Sequence, residues 1–355
     1  MKNIDRIQLR PDYSISRVIK GGWHLAGGHG TIDPREAIED MRAFVEAGIT
    51  TFDCADIYTG VEELIGRFFS QYKSAFASGD LPAVQVHTKY VPDYDALPGL
   101  RPEDTTRVID RSLQRLGVER LDMVQFAWWD YQIPGHVEAA MHLAELQKQG
   151  KIRHLALTNY DAVHLRELLQ AGLLVVANQV QYSLLDHRPE SDLLSICQEA
   201  NISLLCYGVI AGGFLSDRYL NQAAASAPFE NRSLVKYHLI IEEFGGYALF
   251  QHLLKVLHEL AQKYGVYIAE IAARYILQKP TVAAVIIGSR HQRHLPKLQQ
   301  LSSFELDQED LNLLADVLAQ ARGPLGAIYE LERDKTGKHG SIMRYNLNGQ
   351  RLHED

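Results

Sequence analysis

The stretch DPREAIEDMRAFVEAGITTFD, Asp33–Asp53, decides the fold class. Asp33 followed by Pro34 is an N-cap and first-turn pair. Behind it Ile38, Met41 and Val45 keep one apolar stripe at helical spacing, and Gly48 ends it. Thr50–Asp53 then reads as a short apolar strand. The same alternation of strand and helix runs outward in both directions. The strand candidates are Ser16–Lys20, Thr50–Asp53, Val84–Lys89, Leu121–Phe126, Ile152–Thr158, Leu174–Asn178, Ser203–Tyr207 and Val282–Gly288. They are short and apolar on both faces, as buried parallel strands are. Helical stripes fill the gaps: Leu64, Ile65, Phe68 and Phe69, then Val108, Ile109, Leu113 and Leu116 with a stop at Gly117. Leu165/Leu168/Leu169, Leu193/Leu194/Cys197 and Ile268/Ile271/Ala272/Tyr275/Ile276 follow.

Eight β-then-α units predict an α/β fold, a single (β/α)8 TIM barrel over residues 1–322. A doubly wound sheet needs a G-x-G-x-x-G turn after its first strand. Gly21-Gly22-Trp23 and Gly27-Gly28-His29-Gly30 do not match it. The longest irregular stretch, Gly208–Gly246 after the seventh strand, reads as a functional loop or lid. Asp307–Ala321 reads as an extra C-terminal helix. The tail 323–355 is polar, with an apolar patch at Ile342-Met343, and is expected to wrap the barrel or fray.

The chain has 355 residues, 46% hydrophobic and 23% charged, an ordinary globular balance that argues against long disorder. Its net charge of −8 and lack of a Lys/Arg block exclude a general nucleic-acid backbone binder but leave room for a local anion pocket. No apolar run approaches the roughly 20 residues that span a bilayer. MKNIDRIQLRPDY at the N-terminus lacks the apolar core of a signal peptide. Cys54, Cys197 and Cys206 are an odd, widely spaced set without CxxC, so a disulfide framework is excluded and a reduced cytoplasm is the simplest home. The 15 His show no HExxH or paired ligand spacing, and no metal is expected.

Chemistry on a barrel sits at the C-terminal ends of its strands. Asp53, with Tyr58 just beyond it, follows the second strand, and Lys89 ends the third. A Lys ammonium beside Tyr favours the phenolate and lowers the Tyr pKa, while Asp keeps the Lys charged and oriented. A Tyr that protonates a developing alkoxide is what carbonyl reduction requires once a cofactor supplies hydride. Asp53 and Lys89 alone would more often be a structural ion pair; with Tyr58 on matching strand ends they form a site. Trp128 and Trp129 follow the fourth strand. Strand alternation would send one to the core and one to the surface, but at least one is expected at the substrate mouth, with Trp23 after the first strand. Cys54 has no His partner and reads as a small packed hydrophobe.

From Arg17 to Ala321 the sequence resembles the aldo-keto reductases. The resemblance rests on GITTFDCADIY (Gly48–Tyr58) with Glu62-Glu63-Leu64-Ile65-Gly66, on His87-Thr88-Lys89, and on Ser112-Leu113-Gln114-Arg115-Leu116-Gly117. Gly150-Lys151-Ile152-Arg153, Thr158-Asn159-Tyr160 and Asn178-Gln179-Val180-Gln181-Tyr182 extend it. It implies that Asp53, Tyr58 and Lys89 are three of four catalytic residues, with Tyr58 the acid. It implies that Thr158, Asn159 and Gln179 hold the nicotinamide amide of NADPH and that Tyr207 stacks on its ring. It further implies that the segment containing Leu215 covers the cofactor and that Ser289, Arg290 and His294 bind the adenosine 2′-phosphate.

The departures are specific. The fourth catalytic residue of the family is a His in a pattern like QxHWxD. Here the run is Gln125-Phe126-Ala127-Trp128-Trp129-Asp130, and Ala127 lines the substrate site in its place. His294 stands where the family has Gln or Arg, and Leu298 where it has Asn. His24 and His29, near Trp23, are candidates to compensate for Ala127, though a loop position is the plainer reading. The reading is an NADPH-dependent oxidoreductase acting on a small carbonyl substrate. Its rivals are a cofactor-binding protein with little catalysis, as in the potassium-channel β subunits that resemble the family, and a barrel lyase or isomerase.

Overall fold

The computed structural model describes residues 4–28, 30–224 and 228–348. Two N-terminal strands, β1 (Arg6–Arg10) and β2 (Tyr13–Ser16), form an antiparallel hairpin. The eight strands that follow are parallel and close into a barrel. They are β3 (Val18–Gly21), β4 (Thr51–Asp53), β5 (Gln85–Tyr90), β6 (Leu121–Phe126), β7 (Ile152–Thr158), β8 (Ala177–Gln181), β9 (Ser203–Tyr207) and β10 (Val282–Ile287). They run round the barrel in chain order, and β10 pairs with both β9 and β3 to close it. Each predicted strand has its counterpart. The sixth is displaced: β8 begins at Ala177, and Leu174, counted as strand, is 82% exposed in the preceding loop. Leu174 to Val176 are apolar but lie before the ladder starts, and apolarity alone does not fix a strand's start.

Asp33 caps the helix Pro34–Glu46, accepting from the Arg35 N–H at 2.7 Å. Gly48 and Gly117 sit at φ +90° and +66° just past helix ends, as left-handed caps do. The hairpin β1–β2 lies outside the sequence expectations. Tyr13 and Ile15 are buried with Ile19, Met123, Ala156 and Leu205, so the hairpin caps the barrel interior. Its signal was the alternation of apolar and polar residues in Tyr13-Ser14-Ile15-Ser16.

The stretch Gly208–Gly246 is not one irregular loop. It carries short turns at Ala211–Gly213 and Asp217–Tyr219 and then a 13-residue helix, Arg232–Phe244. Asn231 caps that helix by accepting from the Leu234 N–H, and Tyr237, Ile240, Ile241 and Phe244 form its buried stripe. The helix Gln308–Leu318 follows the last barrel unit. Beyond it, Asn348 donates to Asp56 Oδ2 and to the Val91 carbonyl, both at 3.0 Å, so the described part of the tail packs back across the barrel mouth.

Candidate functional site

Side-chain alternation builds the site. On β5, His87 and Lys89 point into the barrel, while Thr88 points out and donates to Glu62 of the helix Val61–Gln71 at 2.6 Å. His87 lies deep, its Nε2 3.1 Å from the Tyr13 hydroxyl, and burial pushes its pKa down to about 3, so it is neutral. Lys89, two residues further up, reaches the C-terminal mouth. Its Nζ donates to Asp53 Oδ1 at 2.6 Å and to the Cys54 carbonyl at 2.9 Å. The same carboxylate oxygen accepts from Gln179 Nε2 at 2.6 Å and Gln125 Nε2 at 3.2 Å. Four strands thus converge on one buried oxygen.

Tyr58 stands over this network, with Lys89 Nζ 5.0 Å from its ring centre. Trp23 meets the Tyr58 ring edge-on at 5.1 Å. Burial works against the Lys89 ammonium, but Asp53 and Tyr58 outweigh it and its pKa lies above the ordinary lysine value. The expected lowering of Tyr58 is overturned. Burial pushes its phenol up to about 12, and the opposing pull of Lys89 is too small to reverse that. Tyr58 therefore holds its proton at neutral pH, as a donor must.

A cavity of about 440 Å³ opens over this group. Its wall includes Asp53, Tyr58 and Lys89. Trp23, Ala127, Trp128 and Trp129 line it too. Both tryptophans belong to the wall because β6 ends at Phe126 and strand alternation does not extend to them. Thr158, Asn159, Gln179 and Tyr207 form the adjoining wall, where Tyr207 donates to Asn159 Oδ1 at 2.9 Å. Asn159 adopts φ +60°, a left-handed conformation that Asn tolerates better than most residues. At Gly213, φ +102°, a Cβ would meet nothing within 4 Å, so the main chain faces open space there. His24 lines the wall packed against Gly288; His29 lies outside the described residues.

The other expected cofactor residues are placed apart from this wall. The Leu215 side chain is wholly buried in the core and its N–H donates to the Ile210 carbonyl, so the side chain offers no surface to a ligand. Ser289 follows Gly288 at the cavity's edge, its carbonyl held by Lys20 Nζ at 2.7 Å. Arg290 and His294 lie beyond it. Burial, Arg293 and Lys297 lower the His294 pKa.

Two wall elements and one group beneath the wall were not foreseen. The buried group is Gln125, which donates to Asp53 Oδ1 and whose position at a strand end was a signal. The helix Arg232–Phe244 contributes Arg232, Ser233, Lys236 and Tyr237. The tail contributes Tyr329, Ile342, Met343, Arg344 and Leu347. Lys236 joins the two, 5.2 Å from the Tyr207 ring centre and 5.4 Å from that of Tyr329, and is paired with Glu332 at 3.5 Å. Only tertiary packing places the tail here.

A model of the aldo/keto reductase family matches residues 17–319. The chain belongs to the aldo/keto reductase family. These are oxidoreductases that reduce carbonyl groups with nicotinamide cofactors. Similar curated proteins include the aldo-keto reductase YhdN of Bacillus subtilis, 26% identical over 87% of this chain and 93% of that one. The NADH-specific methylglyoxal reductase of Escherichia coli is 25% identical over 86% and 95%. Among solved structures, the glycerol dehydrogenase AKR11B4 from Gluconobacter oxydans superposes with a TM-score of 0.75 at 22% identity, over 91% of this chain and 98% of its own.

Proposed function

We propose that this aldo/keto reductase reduces an aldehyde or ketone to an alcohol with NADPH, and that Tyr58 supplies the proton. The observation that carries the reading is the buried Asp53–Lys89 pair, 2.6 Å apart, beneath a protonated Tyr58 in the floor of the cavity. The wall suits a nicotinamide. Tyr207 is an aromatic platform with a hydroxyl and two carboxamides, on Thr158, Asn159 and Gln179, at its edge. Gly213 leaves main chain facing open space beside them. When bound, the nicotinamide supplies the hydride.

Tyr58 then donates its phenolic proton to the alkoxide oxygen that develops on the substrate. Lys89 stabilises the phenolate left behind, and Asp53 holds Lys89 charged and aimed. Gln125 and Gln179 fix the Asp53 carboxylate. Trp23, Trp128 and Trp129 exclude water and shape the substrate space. Ser289, Arg290 and His294, beyond the cavity edge, are the residues for a 2′-phosphate. The three cysteines are free and buried, which fits a reduced cytoplasm. The barrel as far as residue 322 is the catalytic unit, and residues 323–348 are a wrapping segment that completes its mouth.

Ala127 favours a second reading, a cofactor-binding protein with little turnover, because a methyl group stands where the family has an imidazole. Single-turnover oxidation of pre-bound NADPH by a small aldehyde separates the two. A fast burst supports the reductase; tight binding with no burst supports the second reading.

A further inference from the structure

The cavity wall is cationic although the chain is acidic overall. Its one carboxylate, Asp53, is already committed to Lys89. Lys236 is answered by Glu332 from behind the wall. That leaves Arg232 and Arg344. Arg232 opens the helix Arg232–Phe244, one turn before Lys236 and on the same face. Arg344 comes from the tail, 112 positions later. Among the described residues neither guanidinium pairs with a carboxylate; Arg232 only donates to the Ile342 carbonyl at 3.5 Å. Burial lowers the Arg232 pKa, and Arg344 lowers it further, so the two charges act on each other. Two like charges brought together by separate segments, on one wall, with no acid between them, cost stability unless an anion bridges them.

We propose that Arg232 and Arg344 form an oxyanion-binding subsite at the cavity mouth, and that the carbonyl substrate carries a carboxylate or phosphate which docks there while its carbonyl reaches Tyr58. The inference rests on the carbonyl-reductase reading and names its substrate class. A planar guanidinium pair recognises either anion through paired hydrogen bonds. A cationic mouth in an acidic protein also draws such a substrate in selectively, an effect that salt screens.

Succinic semialdehyde and its methyl ester test this, since they share the aldehyde and chain and differ in the carboxylate charge and one methyl group. The acid should be reduced with a kcat/KM at least about 10-fold above the ester, as one charge-assisted contact provides. High salt should narrow the gap. In Arg344→Gln the acid-to-ester ratio should fall by about 10-fold, and Arg344→Lys should keep part of it. An unchanged ratio in Arg344→Gln overturns the proposal. The cofactor's own phosphates are the competing anion. If Arg232→Gln and Arg344→Gln raise the NADPH Kd about 10-fold while the ratio stays put, the subsite belongs to the cofactor and the proposal fails. If neither aldehyde is reduced, the reductase reading fails by itself, and calorimetric titration of succinate decides the subsite. Binding to the unmodified protein that Arg344→Gln abolishes supports it, and no binding overturns it.

Discussion

Asp53 Oδ1 and Lys89 Nζ are 2.6 Å apart, with side chains only 5% and 6% exposed. A buried pair of this kind is costly unless every remaining hydrogen-bonding position is filled. Gln125, Gln179 and the Cys54 carbonyl fill them. The pair is thereby fixed under Tyr58, and the consequences fall on that phenol.

Tyr58→Phe removes the proton donor but keeps the ring against Trp23. Turnover of any accepted aldehyde should fall by roughly 10²–10⁴, with cofactor Kd within a few-fold. Because Tyr58 titrates at about 12, its protonated form persists until strongly alkaline pH. The free-enzyme kcat/KM for reduction should show no loss assignable to Tyr58 between about pH 6 and 9. A Phe variant with full turnover would assign the proton to another group.

Cofactor choice is tested at Arg290, outside the cavity wall. Arg290→Ala should weaken NADPH by about 10–100-fold, the effect of losing one charge-assisted contact, and leave NADH nearly untouched. Equal NADPH and NADH dissociation constants for the unmodified protein, by fluorescence titration, would remove the basis for an NADPH preference.

The tail is anchored by charge. Glu332 lies between Arg188, at 3.0 Å, and Lys236, at 3.5 Å, while Arg188 also pairs with Asp186 at 2.7 Å. Burial alone would raise the Glu332 carboxyl, but Lys236 and Arg188 hold it at about 2. Glu332→Gln leaves two buried cations facing one carboxylate. It should cost about 3–5 kcal/mol of stability and expose the tail to protease. A melting temperature within one degree of the parent would show the cluster to be energetically neutral.

Asp56 gives a pH signature of opposite sense. Burial raises its carboxyl to about 7, against an ordinary value of about 3.9. A folded-state pKa above the unfolded one means stability is fully present below about pH 4 and declines as pH rises through 7. Asp56→Asn should remove that decline, so the variant gains on the parent at pH 8 relative to pH 5 in paired denaturant melts. A gain independent of pH would contradict the assignment.

The barrel was legible because eight buried strands and their amphipathic helices repeat one local rule. Strand ends then placed Asp53, Tyr58 and Lys89 together without further information. The hairpin β1–β2 was overlooked because its strands are short and only half apolar. The helix Arg232–Phe244 was hidden in a segment whose glycines at 208, 212 and 213 suggested loop. Lys236, Arg344 and Tyr329 were out of reach for a different reason. Their place in the wall depends on how far the tail folds back, which long-range contacts such as Glu332 to Arg188 decide.

Ala127 places a methyl group in the wall where the resemblance drawn from the sequence implies an imidazole. Its methyl lines the cavity and its N–H is spent on the Tyr90 carbonyl. The neighbouring indoles do not replace an imidazole. Trp128 Nε1 donates to the carbonyls of Asp130 and Ile133, and Trp129 Nε1 to that of Pro92. Arg333 is likewise engaged, with Tyr131 and the Asn159 carbonyl. His24 packs against Gly288, on the β3–β10 side of the barrel, while Ala127 follows β6. The parent protein should therefore reduce ordinary aldehydes slowly while binding NADPH normally. Ala127→His should raise kcat/KM for a small aldehyde by about 10-fold, one recovered hydrogen bond of ~1.4 kcal/mol in the transition state, measured at matched NADPH saturation. If the His variant is no faster, a donor is already present. Tyr329 is then the group to remove, because it lines the wall and its hydroxyl makes no hydrogen bond among the described residues. Tyr329→Phe should slow the parent in that case, and Ala127→His should restore the rate. If neither change moves the rate, carbonyl polarisation in this enzyme depends on Tyr58 alone.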